Sequence, residues 1–316
     1  MKIGIIGAGN VGAASALSLV HWGACRELVL LDQDRQKAAS AALDVRYAAA
    51  LSPVTDVRAG GEEDLRGADL LVVTAGVNEH EGGADDPHDP QGRLKLLDQN
   101  VPVYQESIPP AVAYAPDAVI LVVTDPPDPL ADLTRRLAGH DRVVSSGTLL
   151  DSLRFAVHIA QALKVPAASV QATVIGEHGK SEALVWSGVT VGGVPLERAA
   201  QQLGVDLAAL RPQVVQAVKN ANINIIKGIG ASQYAIGTVV ARLAQAILRD
   251  ERVVLPVGSY QQEQGLTFSL PSLVGRQGVV RSLRPDLSDD ERQALDRSIE
   301  ALQKAHERLK KQVPDA

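Results

Sequence analysis

Near its start the chain reads Gly7-Ala8-Gly9-Asn10-Val11-Gly12, the spacing G-x-G-x-x-G, placed between a short apolar run and a helical pattern. The first glycine permits a tight strand-to-helix turn, and the second lets backbone approach a pyrophosphate. The third allows close helix–strand packing, while the helix N-terminus faces the phosphate charge. The hexad gains specificity from Asp32, twenty residues beyond Gly12 at the end of the next apolar run. A carboxylate there can accept hydrogen bonds from an adenosine ribose and would repel a 2′-phosphate, which predicts NAD in preference to NADP. Residues 3–20 carry no charge and follow Lys2, a crude imitation of an export signal. The glycines that interrupt the run have their own mechanism, so the chain is expected to be cytoplasmic.

A second group of polar residues suits chemistry on a carbonyl. Hydride transfer to a ketone needs a proton donor for the developing alkoxide, a cation to polarise the carbonyl, and a group that holds the substrate. An arginine suits the last task, because its planar fork matches a carboxylate with two parallel hydrogen bonds. Thr74-Ala75-Gly76, Arg93 with Asn100, Asp125-Pro126-Pro127-Asp128, Leu150-Asp151-Ser152-Leu153-Arg154 and Gly176-Glu177-His178-Gly179 follow one another along the chain. In this order and spacing the sequence resembles the L-lactate/malate dehydrogenase family from Met1 to its last helix. Within the family it looks most like the lactate and L-2-hydroxyisocaproate dehydrogenases.

That resemblance implies a role for each residue. His178 is the acid/base at the keto oxygen, and Asp151 accepts its other ring N–H and stabilises the imidazolium. Arg154 clamps the substrate carboxylate, and Arg93, at the end of a lid over residues 77–92, closes over the carbonyl. Ser232 lines the substrate pocket and Ile236 backs the nicotinamide. Gly7, Gly9, Asn10, Val11, Gly12, Asp32, Thr74, Ala75, Gly76, Asn100 and Asp125 complete the cofactor site, and no metal is expected. The implied reaction is the NAD-dependent interconversion of a small monocarboxylic 2-keto acid, pyruvate or something bulkier, with its L-2-hydroxy acid. The implied assembly is a homodimer or homotetramer.

Three departures from the family pattern stand out. Asp125 replaces an Asn whose amide meets the reacting oxygen; an ionised carboxylate has no donor and would favour a protonated His178. Lys180 follows Gly179 where Asp or Asn is common, and reads as a surface change. The lid is long and acidic, with Glu79, Glu81, Asp85, Asp86 and Asp89. The side-chain-reading position on the lid falls on Glu79 or on Pro87, depending on where the insertion is placed. Neither is cationic, which weakens the alternative of a malate dehydrogenase. An NAD-binding protein with little catalysis is a second alternative, drawn from Asp125. NAD-dependent glycosidases would need a Cys/His-bound metal, for which Cys25 is poorly placed.

These residues need a frame to bring them together. In the first half, apolar runs at 2–6, 28–31, 54–58, 70–74, 119–123 and 142–144 alternate with helical patterns at 11–21, 35–50, 94–114 and 130–137. Several runs are apolar throughout, as parallel strands covered on both faces must be. The expectation is an α/β fold: a doubly wound parallel sheet of the Rossmann type over residues 1–145, then an α+β substrate domain over 146–316. For the second part the patterning predicts helices at 149–163, 207–226 and 234–248, strands at 170–175, near 252–257 and at 272–273, and a hairpin at Gly192-Gly193. A capping box from Ser288 to Glu291 opens the closing amphipathic helix.

Composition excludes several classes. The 316 residues are 46% apolar and 22% charged with a net charge of −6, ordinary for a globular protein and unlike a nucleic-acid binder or a membrane protein. The cluster Lys304, Arg308, Lys310 and Lys311 reads as a solvated helix face. One cysteine, Cys25, allows no disulfide within the chain and fits a reducing compartment.

Overall fold

Leu70-Leu71-Val72-Val73 and Val119-Ile120-Leu121-Val122 are wholly buried strands, inaccessible on both faces. Their continuous apolar character is the physical reason they lie inside a helix-covered sheet. A computed structural model describes residues 1–53, 55–77, 82 and 92–314. In chain order its elements are β1 (Lys2–Ile6), α1 (Asn10–His21), β2 (Glu27–Leu31), α2 (Arg35–Ala49), β3 (Asp56–Ala59), β4 (Leu70–Val73), α3 (Gly92–Tyr114), β5 (Val119–Val122), α4 (Pro127–Ala138), β6 (Val143–Ser145) and α5 (Leu149–Leu163). There follow β7 (Val170–Ile175), β8 (Ala183–Val191), β9 (Val194–Pro195), α6 (Leu196–Leu203), α7 (Leu207–Ile229), α8 (Tyr234–Leu248), β10 (Val253–Gln261), β11 (Leu266–Gly275), β12 (Gly278–Ser282) and α9 (Asp289–Gln312).

Strands β1 to β6 pair in parallel in the order 6-5-4-1-2-3. The order reverses between β1 and β4, and that switch point is where open α/β sheets bind ligands, beyond the carboxyl ends of the strands. The glycine turn follows β1 and Thr74-Ala75-Gly76 follows β4, so both sit at the crevice. The sheet does not end at β6. Gly258 of β10 pairs antiparallel with Ser145, and β10, β11 and β12 extend it to nine strands. A separate sheet of β7, β8 and β9 carries α5 and α6 against its inner face, packed around Phe155, Ile159, Val174, Val189 and Leu196.

Several expectations shift at their edges. The helix placed at 130–137 begins at Pro127. Prolines suit a first helical turn, whose N–H groups have no helical partner anyway. The strand marked by residues 272–273 runs from Leu266 to Gly275 as one arm of a hairpin with β10. Helix α6 and strand β12 were not expected. The hairpin at Gly192-Gly193 is present between β8 and β9, both glycines with positive φ. The capping box at α9 is formed: Glu291 N–H reaches Ser288 Oγ at 3.4 Å, and Ser288 N–H reaches Glu291 Oε2 at 2.9 Å. Glu291 also accepts from Ser187 N–H and Oγ, which fastens α9 to β8. The lid residues Glu79, Glu81, Asp85, Asp86, Pro87 and Asp89 lie outside the described residues, as does Val54. No helix among the described residues is long and apolar enough to cross a membrane.

Candidate active site

The crevice at the switch point is a cleft of about 390 Å³. Gly9, Asn10, Val11, Thr74, Gly76, Asp125 and Ile236 line it, together with Val77, Ser146 and Ser232. Gly7, Gly12, Asp32, Ala75 and Asn100 do not line it but are hydrogen-bonded to, or adjacent in sequence to, residues that do. Gly7 has φ +104°, and a Cβ there would stand 2.4 Å from Ala75 N, so the two crevice loops touch only because this residue is glycine. Thr74 Oγ1 donates to Gly7 O at 2.8 Å. A Cβ on Gly12 would meet Gly7 O at 2.0 Å, which is the close helix–strand approach expected of the third glycine. Around Gly9 the nearest atom to such a Cβ is Lys37 Nζ at 3.7 Å, leaving that turn open to a phosphate. Asp32 accepts the N–H of Ala8 at 2.8 Å through Oδ2 and that of Asp34 at 3.0 Å through Oδ1. Asn100 is fully buried, takes Val77 N–H at 2.7 Å and donates to Asp125 O at 3.0 Å, joining the start of the lid to the loop after β5.

A smaller pocket of about 60 Å³ adjoins this cleft. Arg93, Asp125, Asp151, Arg154, His178, Gly179 and Glu182 line it, against a wall of Val218, Asn222, Ile223 and Ile226 from α7. At its centre the Asp151 carboxylate, 2% exposed, divides its two oxygens. Oδ2 meets His178 Nδ1 at 2.6 Å, and Oδ1 accepts from Arg154 Nη1 at 2.9 Å. Asp151 and Arg154 are three apart on α5, which puts both on one helical face. Arg154 Nη2 reaches Ser232 Oγ at 3.4 Å. Arg93, entering from α3, donates from Nη2 to Asp125 Oδ1 at 2.8 Å and to His178 O at 2.6 Å.

The sequence near these residues explains their placement. Ser152 Oγ accepts the N–H of Val174 at 2.9 Å, and Thr148 Oγ1 donates to Val174 O at 2.5 Å, so α5 grips β7 on both sides of one residue. β7 leads into the loop that carries His178. That loop is held at Gly176 by paired bonds with Ser269 of β11, at Glu177 N–H by Ser298 Oγ, and at His178 N–H by Asp128 Oδ2 at 2.9 Å. Gly176 has φ +87°, and a Cβ there would collide with Ser298 Oγ at 2.4 Å.

Charge is strongly organised here. Burial by itself would strip the proton from His178, but the adjoining Asp151 carboxylate outweighs it, Asp125 adds to the effect, and the imidazole is raised to about 9. Asp151 is opposed by burial yet held below the usual carboxylate range by His178 and Arg154. The two partners shift in opposite directions, as a genuine ion pair requires.

Of the site residues expected from the sequence, Gly9, Asn10, Val11, Thr74, Gly76, Arg93, Asp125, Asp151, Arg154, His178, Ser232 and Ile236 line one or both of these cavities, whereas Gly7, Gly12, Asp32, Ala75 and Asn100 line neither. Two acidic residues were missed. Asp128, fully buried, holds Ser145 Oγ and the His178 backbone, and burial pushes it up to about 6. Its signal was the Asp125-Pro126-Pro127-Asp128 run itself. Glu182, 4% exposed with Oε1 unpartnered, is pushed up to about 8 by burial and by the charge of Asp151. Nothing in its sequence context marked it.

Residues 1–145 match the model of the lactate/malate dehydrogenase NAD binding domain, and residues 148–313 that of the lactate/malate dehydrogenase alpha/beta C-terminal domain. The chain belongs to the lactate/malate dehydrogenase family. It is 43% identical over 315 residues to the L-lactate dehydrogenase of Thermus aquaticus, covering 96% of this chain and 98% of the relative. It is 40% identical over 303 residues to that of Deinococcus radiodurans, covering 96% and 97%. Among solved structures it is similar to a lactate dehydrogenase enzyme from a Medee basin deep-sea metagenome library, with a TM-score of 0.89 and 29% identity over 97% of this chain and 98% of that one. The minor L-lactate dehydrogenase from Enterococcus mundtii gives the same TM-score at 32% identity over 97% of both chains.

Proposed function

We infer that this chain is an NAD-dependent L-2-hydroxy acid dehydrogenase whose substrate is a monocarboxylic 2-keto acid. The observation that carries the reading is the single Asp151 carboxylate in the small pocket holding both His178 Nδ1 and Arg154 Nη1, two side chains that line the small pocket and the nucleotide cleft alike. Nicotinamide in the cleft against Ile236 would present its hydride toward those two side chains. Arg154 takes the substrate carboxylate, His178 gives its Nε2 proton to the keto oxygen as hydride reaches the carbon, and Arg93 stabilises the charge that develops on that oxygen. Asp151 steadies the imidazolium before transfer and fixes the tautomer after it. Family membership and the similarity to L-lactate dehydrogenases support this chemistry.

The monocarboxylic preference is supported by the sequence of residues 77–92, which holds no Arg or Lys. A second substrate carboxylate would find no partner there. NADH oxidation with pyruvate, 2-ketoisocaproate, phenylpyruvate and oxaloacetate tests the assignment. Pyruvate or the branched acid should exceed oxaloacetate in kcat/KM; the reverse order would make it a malate-type enzyme. A homodimer or homotetramer is supported by apolar side chains left bare on α1 and α2, among them Leu17, Leu43 and Tyr47. A cytoplasmic setting is supported by the lone buried thiol of Cys25.

A further inference from the structure

Asp125 lines both cavities, as do His178 and Arg154, so its carboxylate stands where hydride must cross from cofactor to substrate. Its Oδ1 holds Arg93 Nη2 at 2.8 Å, and the same nitrogen also serves the carbonyl of His178. Gly179 backs the guanidinium closely, since a Cβ there would stand 2.8 Å from Arg93 Cζ. The cation assigned to the substrate carbonyl therefore has counter-ions of its own inside the protein, Asp125 in direct contact and Glu177 with Oε1 3.7 Å from Arg93 Nε.

We propose that Asp125 is a built-in competitor for Arg93, and that it sets how strongly the reacting centre binds a keto acid. This rests on the assignment of Arg93 and His178 given above. A keto oxygen and a carboxylate are both acceptors, and both would draw on the one Arg93 guanidinium. Both bonds would be charge-assisted by the guanidinium, but the carboxylate adds the attraction of an opposite charge, so the keto acid starts at a disadvantage. An amide at this position would be a weaker rival and would add an N–H donor. Removing the carboxylate should thus tighten keto-acid binding.

The same group acts on His178. Facing the imidazole are Asp151 and Arg154 from α5, Arg93 from α3 and Asp125 from the loop after β5. Asp128 of α4 holds the His178 N–H, Glu182 precedes β8, Glu177 and Lys180 flank His178 on its own loop, and Lys219 projects from α7. Asp125 is one of the groups that strengthen the hold of His178 on its proton, and Arg93 weakens it. A neutral residue at 125 moves that balance toward easier proton loss.

The test uses the full-length chain with Asp125→Asn, Arg93→Ala and the double variant, with Asp125→Ser as a second probe of position 125. NADH affinity is measured by fluorescence, and pyruvate and 2-ketoisocaproate kinetics from about pH 6 to about pH 10. Expected are a keto-acid KM lowered at least about fivefold at pH 8 and an alkaline limb displaced below its wild-type position, with the NADH measurement serving to keep any change in cofactor binding apart from these effects. In the Arg93→Ala background, Asp125→Asn should leave KM within about twofold while still displacing the limb. An unchanged or higher KM in both position-125 variants overturns the proposal. So does an equal fall in KM without Arg93, which would make Asp125 act by repelling the substrate directly. A wild-type enzyme inactive on every 2-keto acid would instead sink the assignment of the site, whatever the variants do.

Discussion

The hydroxyl of Ser152 accepts the backbone N–H of Val174 at 2.9 Å, and through this bond α5 and β7 keep a fixed relation. Asp151 and Arg154 stand on the first element, and His178 follows the second. Ser152→Ala leaves a buried N–H without a partner, at a cost of about 1–3 kcal/mol. We expect the denaturant midpoint to fall with m unchanged, and the keto-acid KM to rise while NADH affinity holds. A variant with normal stability and KM would show that other contacts set the spacing of Asp151 and His178.

Replacing His178 by Asn should separate binding from chemistry. NADH affinity is expected to stay near that of the wild type, because the ring lies at the substrate end of the cleft, while turnover falls about a hundredfold or more. Arg154→Lys should act mainly on KM, since an ammonium cannot reproduce a two-pronged contact with a carboxylate. Stopped-flow single turnovers with NADH and pyruvate distinguish the two effects. Normal turnover in His178→Asn would remove it as proton donor.

The raised proton affinity of His178 fixes the sign of the pH dependence. With His178 as the proposed proton donor, keto-acid reduction would consume the protonated imidazole, so kcat/KM should hold up to about pH 9 and decline above it. Hydroxy-acid oxidation needs the neutral ring and should rise toward the same pH. Stability follows the same group: its contribution is complete below the ordinary histidine value of 6.5 and is lost as pH rises through about 9. A reduction limb near pH 6.5 would show that Asp151 does not hold the proton on His178.

Coenzyme choice rests on Asp32. NADH should be preferred to NADPH by at least about tenfold in kcat/KM, which corresponds to about 1.4 kcal/mol. Asp32→Ser should narrow that ratio. Because Asp32 also holds the Ala8 N–H, the variant should weaken both coenzymes, and the ratio is the informative quantity. Equal use of the two by the wild type would refute the assignment.

The parallel strands were legible because burial on both faces forces continuous apolar runs, and α9 because its capping box is local. Strand β12 was not: Gly278-Val279-Val280-Arg281-Ser282 lies at the sheet edge, and its mixed exposure leaves no periodic signal. The residues proposed for catalysis could be found through their motifs, since each motif is contiguous in sequence. Their supports could not. Ser152, Thr148 and Ser298 are ordinary hydroxyl residues whose partners lie far along the chain. Glu182 carries a charge beside a strand, a pattern that reads as a solvent-facing position until the fold buries it.

The pairing of Gly258 with Ser145 makes one slab of the two family-matched segments. A Cβ on Gly258 would stand 2.6 Å from Asp128 Oδ1, the carboxylate that also holds the backbone of His178, so the seam is closed by atoms that serve the site. Severing the chain near residue 146 would uncover β6 as a raw, apolar edge, and each half would aggregate instead of folding alone. The intact protein should melt in a single transition. The two halves are thus joined within one sheet, and the gap that hydride crosses lies beside the seam where β6 meets β10.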